Sequence, residues 1–202
     1  MYRPPAFRAD DAEALELIGR HPLAQLVVVA DGRPVATPVP LMIRGDTLVG
    51  HLARPNPVWR HPGQALAIFT GADSYVSPRW YADKATDGKV VPTWNYLTVQ
   101  VAGRLVVHDD REWTHRLVSD LTDRFEAAYD DPWAVTDAPD EFVASMLRGI
   151  VGIELVDLEI VGKVKLSQNR PEGDRRRVAA GLAEGSPADQ AVADAVARSF
   201  RE

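Results

Sequence analysis

Cysteine is absent from the 202-residue chain, which excludes disulfides, thiol nucleophiles and thiolate metal centres. Long apolar runs are absent too. None approaches the ~18 residues a membrane helix needs, and the start, Met1-Tyr2-Arg3-Pro4-Pro5, lacks the apolar stretch of a signal peptide. Together these features lead us to expect a cytoplasmic protein. Histidine is sparse: His21, His51, His61, His108 and His115 are scattered, with no His-x-x-x-His pair to hold zinc. No Gly-x-Gly-x-x-Gly, Walker loop or Gly-x-Ser-x-Gly occurs, which argues against Rossmann, P-loop and α/β-hydrolase chemistry. Positive charge is in short supply, with 23 Lys and Arg against 29 Asp and Glu for a net −6. Phosphate neutralisation supplies most of the affinity of DNA-binding domains, so direct DNA reading is disfavoured. The one basic cluster, Arg170 with Arg175-Arg176-Arg177, is interleaved with Glu172 and Asp174 and reads as a solvated helix start.

What is present suits a globular chain, 46% hydrophobic and 26% charged, long enough for one full core plus an appendage. Asp10 and Glu13 form a capping box for a first helix ending before His21-Pro22. Residues 23–30 are almost continuously apolar and predict a strand buried on both faces. Asp31-Gly32 is the dipeptide of a tight hairpin. The returning strand, 35–43, sets Pro38 and Pro40 opposite its apolar face, which puts it at a sheet edge or against something other than a strand. Strands follow at 47–53, 65–70 and 75–78, then a polar loop at 82–89 and a long strand at 93–108. Helices are expected at 112–128, where Trp113, Leu117, Leu121 and Phe125 recur every four residues, and at 141–147. Residues 150–166 give one or two strands bent at Gly162. Ser186-Pro187 opens a last helix carrying Val192, Val196 and Phe200. We therefore expect a mainly β protein with peripheral helices, an antiparallel small barrel over residues 1–170 and a helical extension over 171–202.

Aromatics are concentrated between residues 51 and 96, where three of the five tryptophans and three of the five tyrosines fall. Interleaved with Arg54, Arg60, Asn56, Ser77 and Asn95, they suit a planar, polar-edged ligand with a phosphate gripped by an arginine fork. They suit an aromatic core with surface arginines equally well.

Five blocks in this order resemble the PaiB family of FMN-binding split-barrel proteins, which carry a transcriptional-regulator label and are distantly related to pyridoxamine-phosphate oxidase. The blocks are Met1-Tyr2, Gly50-His51-Leu52-Ala53-Arg54 with Asn56-Pro57 and Trp59, Tyr75-Val76-Ser77-Pro78 with Trp80-Tyr81, Val91-Pro92-Thr93-Trp94-Asn95-Tyr96, and Lys165-Leu166-Ser167-Gln168-Asn169. The resemblance covers roughly residues 1 to 185, with Gln100 standing where a histidine is expected. It implies a six-stranded split β-barrel that forms a homodimer with FMN sites between subunits. Thr37, Pro38 and Val39 would run along the flavin ring. His51, Leu52 and Ala53 would add contacts, with Arg54, Asn56 and Trp59 near the ribityl phosphate. Ser77, Trp94 and Asn95 are further candidates, and Lys165, Gln168 and Asn169 would close the site, a cation stabilising negative charge on reduced flavin. Three functions follow: a flavin-dependent redox or regulatory protein, a flavin oxidoreductase acting on an unknown small substrate, and a haem- or ligand-binding barrel without turnover, with His51 as the axial candidate.

Overall fold

The computed structural model describes residues 1–85 and 88–200. The centre of the expected polar loop at 82–89 and the last two residues of the expected extension at 171–202 lie outside the described residues. By its contacts the chain divides into two units. The first comprises Met1–Arg20, Thr70–Val99 and Val161–Glu202, the second His21–Phe69 and Gln100–Ile160. In chain order the elements are α1 (Asp11–Arg20), β1 (Leu23–Ala30), β2 (Arg33–Pro40), β3 (Met42–Arg44), β4 (Thr47–Ala53), β5 (Gly63–Val76), β6 (Thr93–His108), α2 (Arg111–Glu126), α3 (Asp140–Arg148), β7 (Ile150–Lys165), α4 (Glu172–Ala183) and α5 (Pro187–Arg198). The seven strands form one sheet in the order β2-β1-β5-β6-β7-β4-β3. The class is the expected one, with seven strands in place of six.

Within the second unit, β1 and β2 pair antiparallel with Ala30 opposite Arg33. The two loop residues between them take positive φ, Asp31 at 50° and Gly32 at 74°, as a hairpin twisting with its strands demands. β2 lies at one end of the sheet. The strand expected at 35–43 divides there: β2 ends at Pro40, Leu41 still donates to the Pro22 carbonyl at 2.9 Å, and β3 resumes at Met42 to pair with β4. β1 is buried on one face only: Ala24, Leu26 and Val28 are at most 1% exposed, whereas Leu23 and Val29 are 60% and 62% exposed. An unbroken apolar run does not distinguish a strand covered twice from one with a greasy outer face. Helix α2 begins at Asp110, whose side chain accepts from the Trp113 N–H at 2.6 Å. Leu117 and Leu121 pack with Met42 and Val49. Phe125, expected on that buried face, is 42% exposed and stands outside the cluster that Leu117 and Leu121 make with Met42 and Val49.

In the first unit the capping box is formed: Glu13 N–H donates to Asp10 Oδ1 at 2.8 Å and Asp10 N–H to Glu13 Oε2 at 2.9 Å. The two strands expected at 65–70 and 75–78 are one, β5, which continues through 71–74 and ends at Val76. Ser74 is 3% exposed there and donates to the Asp189 carboxylate. β7 likewise runs unbroken. Gly162 permits a close approach, since a Cβ there would lie 2.7 Å from the Ala9 Cβ. The left-handed residue in β7 is Asp157, φ 57°, in the second unit. Ser186 caps α5 through a reciprocal pair with Asp189. Val178, Leu182, Val192 and Val196 pack with Val76, Tyr81 and Leu166, so α4 and α5 complete this unit's core.

Candidate functional site

The fifteen residues expected to contact a ligand fall into two groups, one in each unit. In the second unit, β4 ends at Ala53 and the chain turns through Arg54-Pro55-Asn56 into a 3-10 turn, Pro57–Arg60. Asn56 makes that turn: its Oδ1 accepts from the Val58 N–H at 3.0 Å, and its Nδ2 donates to Thr37 Oγ1 at 3.0 Å. Two expected residues, 19 apart in sequence, are thus joined directly. Trp59 folds back, its Nε1 donating to the Arg54 carbonyl at 3.0 Å, and the Arg60 guanidinium lies over its ring at 5.2 Å. Val39 and Leu52 are buried, at 1% and 4% exposure, so only their main chains remain for a ligand. Pro38 and Ala53 are exposed. His51, opposite Gly152 in the β4–β7 ladder, holds its Nδ1 buried with no hydrogen-bond partner among the described residues. Burial pushes its pKa down, which keeps the imidazole neutral at pH 7.

Arg54 behaves differently from the phosphate fork envisaged above. Its two terminal nitrogens meet Asp109 Oδ1 and Oδ2 at 2.6 and 3.0 Å, and its Nε and Nη2 donate to the carbonyls of Arg148 and Ile150 at 3.0 and 3.2 Å. The hydrogen bond to Asp109 raises the Arg54 pKa, and the same bond lowers that of Asp109. Within its own unit this guanidinium is already engaged.

In the first unit, β6 begins with Thr93-Trp94-Asn95-Tyr96 and β7 ends at Lys165. The Lys165 ammonium donates to Thr93 Oγ1 and, at 2.6 Å, to the Trp94 carbonyl. Lys163 and Lys165 lie 5.2 and 5.8 Å from the centre of the Tyr96 ring. Lys163 is only 9% exposed, and its ammonium donates to the Tyr2 carbonyl at 3.2 Å. Neither lysine is paired with a carboxylate among the described residues. Desolvation, helped by repulsion from Lys163, pushes the Lys165 pKa down against the opposing pull of Tyr96. Asn95 is fully buried; its Oδ1 accepts from Ser167 Oγ at 3.1 Å, and its Nδ2 has no partner among the described residues. Trp94 is 53% exposed and meets Tyr75 edge-on, ring centres 6.2 Å apart. Gln168 serves the backbone, accepting from Leu166 N–H at 2.6 Å and donating to the Val164 carbonyl at 2.7 Å. Ser77 caps the 3-10 turn Pro78–Trp80, accepting from Arg79 N–H and Nε. Asn169 is exposed. Ser167, Lys163 and Tyr96 join this group without having been singled out in advance. Ser167 stood inside a recognised block, and its positive φ of 64° is not readable from a serine.

Residues 1–156 match the family described as "Putative FMN-binding domain". The chain belongs to this family. The "Protease synthase and sporulation protein PAI 2" of Bacillus subtilis is 30% identical over 186 residues, 88% of this chain and 87% of that protein, in keeping with the PaiB resemblance. A protein of Aspergillus fumigatus is 33% identical over 171 residues, 67% of this chain and 66% of its own length. One of Emericella nidulans is 33% identical over 145 residues, 66% of this chain and 58% of its own length. The chain thus spans about two thirds or less of these two relatives. Among solved structures, the "FAD and Heme binding protein from Mycobacterium smegmatis" superposes with a TM-score of 0.57 at 22% identity, covering 85% of this chain and 78% of that one. A "conserved hypothetical protein" of Mycobacterium tuberculosis gives 0.60 at 13%, covering 85% and 95%. At those identities the likeness establishes the split-barrel fold.

The cofactor of an FMN-binding chain of this kind is FMN, and the residues present fit it. His51 Nδ1 and Asn95 Nδ2 are buried polar atoms lacking a partner, where the great majority of buried polar groups have one. Lys163 and Lys165 hold positive charge that no carboxylate among the described residues balances. The outer edge of β2, lacking N–H groups at Pro34, Pro38 and Pro40, can lie against a ring system without leaving many donors unmet. Among the described residues no helix is long and apolar enough to cross a membrane, and no group of three or more His, Asp or Glu side chains is placed to hold a metal ion.

Proposed function

We propose that this chain is a redox-active flavoprotein whose flavin state, rather than contact with DNA, carries any influence on gene expression. The observation that supports this reading is the pair Lys163 and Lys165, flanking Tyr96 with no carboxylate partner among the described residues. A desolvated cation without a counterion is costly, and an anion relieves that cost. Bound FMN supplies reversible electron exchange and becomes more negative on reduction. Lys165 is held by Thr93 and the Trp94 carbonyl, so its charge is fixed in place before a ligand arrives. The neutral imidazole of His51 offers a hydrogen bond without adding charge. Thr37 and Asn56 fix the entrance to the 3-10 turn, and Arg60, resting on Trp59, is the cation we assign to phosphate now that Arg54 is occupied by Asp109.

The basic cluster supports the same reading. Arg175 reaches Ser199 and stacks on Phe200, Arg176 pairs with Glu172, and Arg177 pairs with Asp174 and donates to the Trp80 carbonyl. All three are used inside the chain. A homodimer accords with the apolar side chains left on the outer face of β1, Leu23 and Val29, and with exposed Val91 and Trp94. The test is to denature purified protein and identify what it releases. FMN with a reversible reduction supports the proposal, and a chain that releases haem or nothing, and binds no added FMN, overturns it.

A further inference from the structure

Ser167 combines two features that work against each other. It has a left-handed backbone, φ 64°, which glycine adopts freely and serine does not. It is also 3% exposed, so its hydroxyl is not there for solvent. The backbone is forced by its neighbours: the Gln168 amide bridges Leu166 N–H and the Val164 carbonyl, and Arg170 N–H donates to the Ser167 carbonyl at 2.9 Å. Glycine would relieve this strain. A serine here has a side-chain reason, and its hydroxyl makes one side-chain contact, the 3.1 Å bond to Asn95 Oδ1. An amide carries an acceptor on one side and an NH2 on the other. Fixing Oδ1 to Ser167 therefore fixes the opposite direction of Nδ2, which is buried and unpartnered. The adjacent residues are fixed from the same strand end, Lys165 holding Thr93 and Trp94.

We infer that Ser167 is a positioning residue for FMN: it orients the Asn95 amide so that Nδ2 donates to an acceptor on the bound flavin. This rests on the flavin reading above. Strain concentrated beside an unmet donor is typical of sites that a ligand completes, and the hydroxyl sets the direction of the donor in advance of binding.

The test uses the full chain, FMN titrated by fluorescence quenching, and the melting temperature of the flavin-free protein. Ser167→Gly and Ser167→Ala both remove the hydroxyl, but only glycine relaxes the backbone. Both should weaken FMN binding about tenfold, the usual scale of one well-placed hydrogen bond, while glycine melts higher than alanine. Asn95→Asp, which keeps an acceptor for Ser167 and loses the NH2, should weaken FMN by at least as much. If the two Ser167 variants bind FMN as tightly as the wild type, or if affinity simply follows melting temperature, the inference is overturned while the flavin reading stands. If the wild type binds no FMN, both fall.

Discussion

The two units answer the same demand, holding polar side chains beside a ligand, in opposite ways. In the second unit the charge is neutralised from within: Arg54 closes on Asp109 and two carbonyls, and Asn56 on Thr37 and Val58. In the first, among the described residues, Lys163 and Lys165 bond to neutral oxygens without a carboxylate, and Asn95 keeps an unmet donor beside a strained serine. A self-satisfied polar group sets shape, whereas an unsatisfied one sets affinity. Substitutions at Arg54 and Asn56 should therefore register mainly in stability, and those at Lys165 and Asn95 mainly in flavin binding and potential.

The largest expected effects are steric and test whether each unit's aromatic ring is equally immovable. A Cβ on Gly152 would overlap the Trp113 ring, and one on Gly181 the Trp80 ring. Trp113 is stacked on His108 at 3.9 Å and covered by Arg44 at 4.9 Å, so it has little room to yield. Gly152→Ala should cost about 3 kcal/mol and lower Tm by roughly 6–12 °C. Gly181→Ala should cost less, about 1–2 kcal/mol, because Trp80 has no such stack. Equal Tm losses in calorimetry would break that distinction.

Next come the charges. Lys165→Met should make the flavin midpoint potential roughly 30 mV more negative, equivalent to about 1.4 kcal/mol for two electrons. Arg54→Ala should lower Tm and leave the potential in place. Spectroelectrochemistry on both variants decides this, and a larger potential shift for Arg54→Ala would reverse the roles given to the two units. A smaller effect concerns pH. The His51 pKa is depressed by burial, so the unfolded chain takes up its proton first. Stability is intact above about pH 6.5, the unfolded value, and declines as pH falls toward the folded one. His51→Gln should flatten that decline in urea titrations between pH 7 and 5. The smallest expected effect is on DNA. Replacing Arg175, Arg176 and Arg177 by alanine should change nothing in a mobility-shift titration, because the wild type binds no tighter than about micromolar at physiological salt. Salt-sensitive nanomolar binding lost in the triple variant would restore a direct regulatory role.

Features decided by a few adjacent residues were readable in advance. The Asp10–Glu13 box, the Asp31-Gly32 hairpin, the Ser186 cap and the full span of β6 are each local in sequence. Features decided at a distance were not. Residues 71–74 fall between two expected strands, yet one strand runs through them, and Ser74 there meets Asp189, 115 residues away. Arg54 reads as a free fork until Asp109, 55 residues on, fills it. The exposure of Leu23 and Val29 depends on what covers a sheet face, which no strand pattern contains. Within the site, the blocks carrying Asn95 and Lys165 were legible as motifs, while Ser167 was not, since its part depends on a backbone angle.

The prolines of β2 have a consequence for the protein's colloidal behaviour. Pro34, Pro38 and Pro40 fall on alternate residues of a strand at the end of the sheet, so on the side turned from β1 the backbone keeps only the Ala36 N–H across that span. An incoming strand, from a nascent chain or a partly unfolded neighbour, would find almost no donors to zip onto. This border of the sheet is therefore sealed against runaway strand addition, and copies of the chain that meet in a crowded cell can associate there through side chains but hardly through backbone pairing.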